Sequence, residues 1–254
     1  MVGIICKDAI MVASDGQISQ TTSATAKRLD AEKIAAVRFG DGREILVAQS
    51  GSAVIGSRLI ELIRDEGGSL SITGHRTPVI CAENAIKKLK ADILEPFARG
   101  NHKIEEKQEF FNSYDCSLLL AYYFNQNEPH LYSVDFGVGI AGNEIKYALL
   151  GCGSNVAESY MSWFPFLEMS FAQAAITAAF IVGEVKKADA FCGGPTHIKR
   201  IKLGESKVTG FSPEIMRVIE NEVAVGAQKY KSAWGDSARQ MAEEIIRKLK
   251  PEAK

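Results

Sequence analysis

Two charged residues stand where this chain could do chemistry: Asp15, in Ala13-Ser14-Asp15-Gly16, and Lys33, in Glu32-Lys33-Ile34-Ala35. A lysine close to other cationic groups has a depressed pKa and can accept or relay a proton, and a carboxylate alongside positions it. Taken alone, Asp15 also reads as a turn residue and Lys33 as a solvated strand end. Asp189 and Cys192 lie in Lys187-Ala188-Asp189-Ala190-Phe191-Cys192-Gly193-Gly194, after a long helical stretch, and the paired glycines let the chain turn closely there. Cys152 occupies a similar turn, Gly151-Cys152-Gly153-Ser154. Both cysteines also read as small buried packing residues. Ala48-Gln49-Ser50-Gly51-Ser52 is a strand-to-helix turn, where helix-start amides point outward and Ser50 or Ser52 reads as an ordinary helix N-cap.

Other chemistries lack their motifs. The sequence has no G-x-S-x-G elbow, no Walker loop and no G-x-G-x-x-G. A Cys192–His197 dyad would have to span five residues across a turn and into a strand, a poor fit. The four histidines do not pair with cysteines at zinc-ligand spacing, so neither a metal nor a cofactor is expected.

The elements that must position these residues follow from the apolar pattern. Ile4–Cys6 and Ile10–Ser14 read as a hairpin turning at Lys7-Asp8. Strands follow at 33–39 and 44–48, joined by the Asp41-Gly42 turn signal. Val54, Ile55, Leu59, Leu62 and Ile63 recur at helical spacing up to Gly67-Gly68, and a second helix is expected over 78–97. Residues 99–114, rich in charge, read as an exposed loop. Strands return at 116–124, 131–136 and 147–151. Ser170 caps a helix over 171–185, and Thr196–Ile201 is a further strand. Ser212-Pro213-Glu214 opens a helical tract over 212–249, with Gly226 and Gly235 as candidate interruptions.

Strands in runs, alternating with pairs of helices, fit an α+β fold with two antiparallel sheets face to face and helices on both outer faces. A doubly wound parallel sheet would alternate strand and helix singly. The 254 residues show no linker or repeat, so one domain over 1–254 is expected. A net charge of −1 gives no case for nucleic acid or a membrane surface, and no apolar run approaches a bilayer span. Five cysteines, an odd count without C-x-x-C spacing, together with an N-terminus that does not read as a signal peptide, point to reduced thiols and a cytoplasmic location.

The opening residues carry a resemblance. Val2-Gly3-Ile4 and Lys7-Asp8-Ala9-Ile10-Met11-Val12-Ala13-Ser14-Asp15 resemble the start of a proteasome β-type subunit, of the N-terminal-nucleophile (Ntn) hydrolases, over roughly residues 2–202. The resemblance implies the four-layer αββα sandwich. It implies that Asp15 and Lys33 pair beside an N-terminal threonine, and that Asp189 hydrogen-bonds near that nucleophile. Gly51 would supply the oxyanion amide, with Gln49 the alternative. Cys152 and Cys192 would stand at two supporting serine positions. Met1 takes the place of the third residue of the mature chain, so the threonine would lie two positions before it.

Three functions are thereby open: a threonine-type endopeptidase if a threonine precedes Met1, a non-catalytic β-type assembly subunit, or a stand-alone Ntn amidohydrolase. The resemblance also implies self-association into a ring or stacked oligomer, with peptide or unfolded protein as substrate.

Overall fold

The computed structural model describes residues 1–22, 25–30, 32–94, 100, 115–125, 127–137, 141–144 and 146–249. The first two strands, β1 (Val2–Cys6) and β2 (Ala9–Asp15), form the expected hairpin, with Val2 opposite Ala13. Every residue of both is buried, which is why they read as continuous apolar runs rather than alternating ones. A polar hairpin follows, β3 (Gln17–Thr22) with β4 (Thr25–Asp30), then β5 (Ile34–Arg38) and β6 (Glu44–Gly51) around the Asp41-Gly42 turn. Helices α1 (Ala53–Gly67) and α2 (Thr77–Leu89) come next, α2 running into a π-helical turn, Lys90–Leu94.

Strands β7 (Cys116–Tyr123), β8 (Pro129–Asp135), β9 (Ala141–Glu144) and β10 (Tyr147–Leu149) lead to α3 (Ser154–Met161) and α4 (Phe171–Ala188). Ser170 caps α4 in a reciprocal box with Gln173. After β11 (Thr196–Lys202) and β12 (Val208–Gly210), the chain ends its described part in α5 (Pro213–Leu249).

Two five-stranded antiparallel sheets result, ordered β10-β1-β2-β11-β12 and β5-β6-β7-β8-β9. The side-chain alternation of each strand sorts the core into three apolar layers. Ile10 and Val12 of β2 face Leu46 and Ala48 of β6 and Leu119 and Ala121 of β7 between the sheets. Ile45 and Val47 turn the other way, onto α1 and α2. Met11 and Ala13 turn outward onto α4. This is the four-layer αββα sandwich expected from the order of elements. Gly3 belongs to the inter-sheet layer: a Cβ there would lie 2.7 Å from a Leu131 methyl and 2.8 Å from a Leu119 methyl, so a side chain at this position would have to push both leucines aside.

Some elements differ from the sequence reading. The β3–β4 hairpin was not expected, because Gln-Ile-Ser-Gln-Thr-Thr lacks an apolar face to betray it. The short edge strands β9 and β12 were likewise missed. Helix α5 runs unbroken through Gly226 and Gly235, since a glycine costs a helix only about 1 kcal/mol relative to alanine. The end of the expected 78–97 helix and nearly all of the 99–114 loop lie outside the described residues.

Candidate active site

Asp15 ends β2 at the open end of the sandwich and is buried. Lys33 immediately precedes β5, in the other sheet. Its Nζ lies 2.8 Å from Asp15 Oδ1. The second carboxylate oxygen accepts the backbone N–H groups of Gln17 (3.3 Å) and Gly193 (3.2 Å). Three donors, Lys33 and Gly193 from distant segments and Gln17 from the adjoining turn, therefore converge on one buried carboxylate, which fixes both the strand end and the lysine. The turn after α4 is fastened to the same place, with Gly16 N–H donating to Gly193 O (3.1 Å) and the Gln17 amide to Ala190 O (3.4 Å).

Asp189 pairs with no lysine or arginine among the described residues. Its Oδ1 accepts the Phe191 N–H (2.8 Å), shaping the turn that delivers Cys192 and Gly193. Cys192 and Cys152, 40 residues apart in sequence, meet with their sulfurs 3.5 Å apart. The expectation of two buried thiols is corrected here. Cys152 is exposed at the tip of its turn, and Cys192 is half-buried. Burial, and then the Cys152 thiol beside it, push the Cys192 thiol up to about 12, so it is a neutral thiol.

The start of β1 closes the group. Met1 nitrogen donates to Leu150 O (2.8 Å) and Leu150 N–H donates to Met1 O (3.1 Å), extending the β1–β10 ladder by one residue pair. A small cleft runs from Met1 and Asp15 past Cys192 to Val182 and Val185 of α4. Burial holds the Met1 ammonium below its ordinary pKa, and the Asp15 carboxylate acts in the opposite direction.

Gly51 terminates β6 at φ +90°, and a Cβ would lie 2.3 Å from Asp115 O. The turn thus demands glycine. Gln49, the alternative oxyanion donor, has its N–H committed to Lys33 O (3.0 Å), and its side chain is buried against Gly56 of α1. Ser50, on the opposite face of β6, brings its hydroxyl to the Gly151 turn. Neither Ser50 nor Gln17 stood out in the sequence. Both sit beside residues that did, but no spacing rule links them to the site.

The family model for the proteasome subunit matches residues 1–201. The chain belongs to that family. No curated protein sequence matches it. Among solved structures, similar chains include Anbu from Pseudomonas aeruginosa, solved as a helical assembly of the Anbu complex (TM-score 0.71, 15% identity, 91% of this chain and 95% of that one). Anbu from Yersinia bercovieri, described as an ancestral β-subunit, is similar at TM-score 0.69 and 11% identity, over 91% of this chain and 95% of that one. Anbu from Hyphomicrobium sp. strain MC1 has TM-score 0.65 and 11% identity, over 95% of this chain and 96% of that one. At such identities the likeness is one of fold. The family model stops before α5, whereas the last comparison spans 95% of the chain, so most of that helix is shared architecture.

Proposed function

We propose that this chain is a proteasome β-type subunit in which Asp15 and Lys33 activate a threonine two positions before Met1 for peptide-bond hydrolysis. The observation that carries the reading is the 2.8 Å Lys33–Asp15 pair beside the start of β1. A peptide amide at Met1 would make the same bond to Leu150 O without burying a charge, which suits a chain continuing upstream. The threonine Oγ attacks the scissile carbonyl and its own α-amine takes the proton, while the Lys33 cation stabilises the developing alkoxide. A new C–O bond forms, the C–N bond breaks, and the proton passes to the departing amine. Water then hydrolyses the acyl-enzyme. Gly51 N–H is the assigned oxyanion donor, and Asp189 positions the turn that supports Asp15.

A specific observation favours the second reading, a non-catalytic assembly subunit. Cysteines, Cys152 and Cys192, occupy both supporting serine positions, and a thiol is a weaker hydrogen-bond donor than a hydroxyl. Peptidase assays on two forms separate the readings. The chain as numbered is expected to be inactive. A form processed to expose threonine two positions before Met1 should cleave peptides, and Lys33→Ala should remove that gain by about 100-fold or more. An extended form that assembles yet stays inactive would establish the assembly role. Cleavage by the unextended chain, insensitive to Lys33→Ala, would point instead to a stand-alone, cysteine-based amidohydrolase.

A further inference from the structure

We propose that Cys152, Cys192 and Asp189 form a binding site for a soft divalent cation of the zinc class. Their ligand atoms, two sulfurs and a carboxylate oxygen, all lie within 4.8 Å of one another. The sulfurs are 3.5 Å apart. Two thiolates on one tetrahedral zinc, with bonds of about 2.3 Å, stand roughly 3.8 Å apart, so an ion needs only a small spreading of the pair. A disulfide needs about 2.05 Å, so the sulfurs would have to close by more than an ångström.

The setting suits an ion as well. The Asp189 carboxylate is held in place, because Phe191 N–H donates to its Oδ1 (2.8 Å). The two turns are pinned independently, Cys192 N–H to Asp189 O (3.1 Å) and Ser154 N–H to Gly151 O (3.1 Å), so the ligands are presented on braced backbone. Cys152 is exposed and supplies an entry path, whereas Cys6, Cys81 and Cys116 are buried in the core. Thiolate donors select zinc-like ions over magnesium or calcium, and three protein ligands leave one position open. Binding displaces the two thiol protons. The ion would sit at the mouth of the Met1–Asp15 cleft, but its binding does not depend on peptidase activity.

The test uses the reduced, metal-free full chain. Cadmium is titrated while the ultraviolet thiolate-to-metal charge-transfer band is followed, and zinc is measured by competition with a chromophoric chelator. One ion per chain is expected, with zinc affinity falling about 100-fold or more in Cys152→Ser and in Cys192→Ser, and about tenfold in Asp189→Asn. Cys152 is at the surface, so its variant remains decisive should Cys192→Ser fail to fold. No charge-transfer band in the wild-type chain, or a full band retained by Cys152→Ser, would overturn the site. So would a pair that forms a disulfide with mild oxidant yet binds no cadmium when reduced.

Discussion

At the scale of single residues, Asp15 is the hub. It takes bonds from Lys33, Gln17 and Gly193, so its removal strips the half-buried Lys33 cation of its partner and frees the turn after α4. Asp15→Ala is therefore expected to destabilise the fold by about 1–3 kcal/mol, the cost of leaving its three donors without their buried acceptor. Urea titration measures it, and a loss below about 1 kcal/mol would show that water already shares the pair. Gly51 is constrained differently. With φ at +90° and only 2.3 Å between a Cβ and Asp115 O, Gly51→Ala combines backbone strain with a clash. A melting experiment should show a loss of about 2 kcal/mol or more. An unchanged melting temperature would mean that the β6 end relaxes freely.

Among elements, one carboxylate ties α5 to the sandwich beside its apolar stripe. Glu220 accepts from Lys186 Nζ (2.9 Å), from Thr196 N–H (3.1 Å) and from the Thr196 hydroxyl, linking α5 to α4 and β11. Burial opposes ionisation of Glu220, but these bonds outweigh it and hold the carboxyl below its ordinary value of 4.5. A carboxyl whose folded pKa is depressed lends stability that is complete above its unfolded pKa. That stability is lost as pH falls through 4.5 and below, where the unfolded chain takes up the proton first. Glu220→Gln should cost about 1–3 kcal/mol at neutral pH and flatten the acid limb of the stability curve below pH 4.5. An acid limb identical to the wild type would assign that dependence to other carboxylates.

For the whole molecule, assembly is the open property. Helix α5 packs one stripe, Met216, Ile219 and Val223, on the sandwich, and shows another outward, with Val218 62% and Val225 50% exposed. Seven residues apart, the two valines lie on one helix face, and a neighbouring copy packed on that face would cover them both. We expect a mass well above 27.6 kDa by light scattering at micromolar concentration, and a lower mass for Val218→Asp combined with Val225→Asp, without loss of thermal stability. A clean wild-type monomer would remove self-association from the proposal.

How much of this was legible beforehand depended on whether the signal was local. The β1–β2 hairpin, α1, the Ser170 cap and the alternation of strand runs with helix pairs are written in periodicities of two and 3.6, and these dictate the layered architecture. The polar β3–β4 hairpin escaped because register, not an apolar face, makes it a hairpin. The opening residues marked Asp15 and Lys33 as partners only through likeness. Their 2.8 Å contact requires the two sheets to stack, and Gly3 leaves room there for Leu119 and Leu131. Cys152 and Cys192 illustrate the same limit. Nothing in a spacing of 40 residues brings two sulfurs together, and histidine–cysteine spacing argued against a metal. Only the packing of α3 and α4 on the first sheet places both turns at one corner, because contacts between distant segments are decided by how the layers close, not by neighbours along the chain.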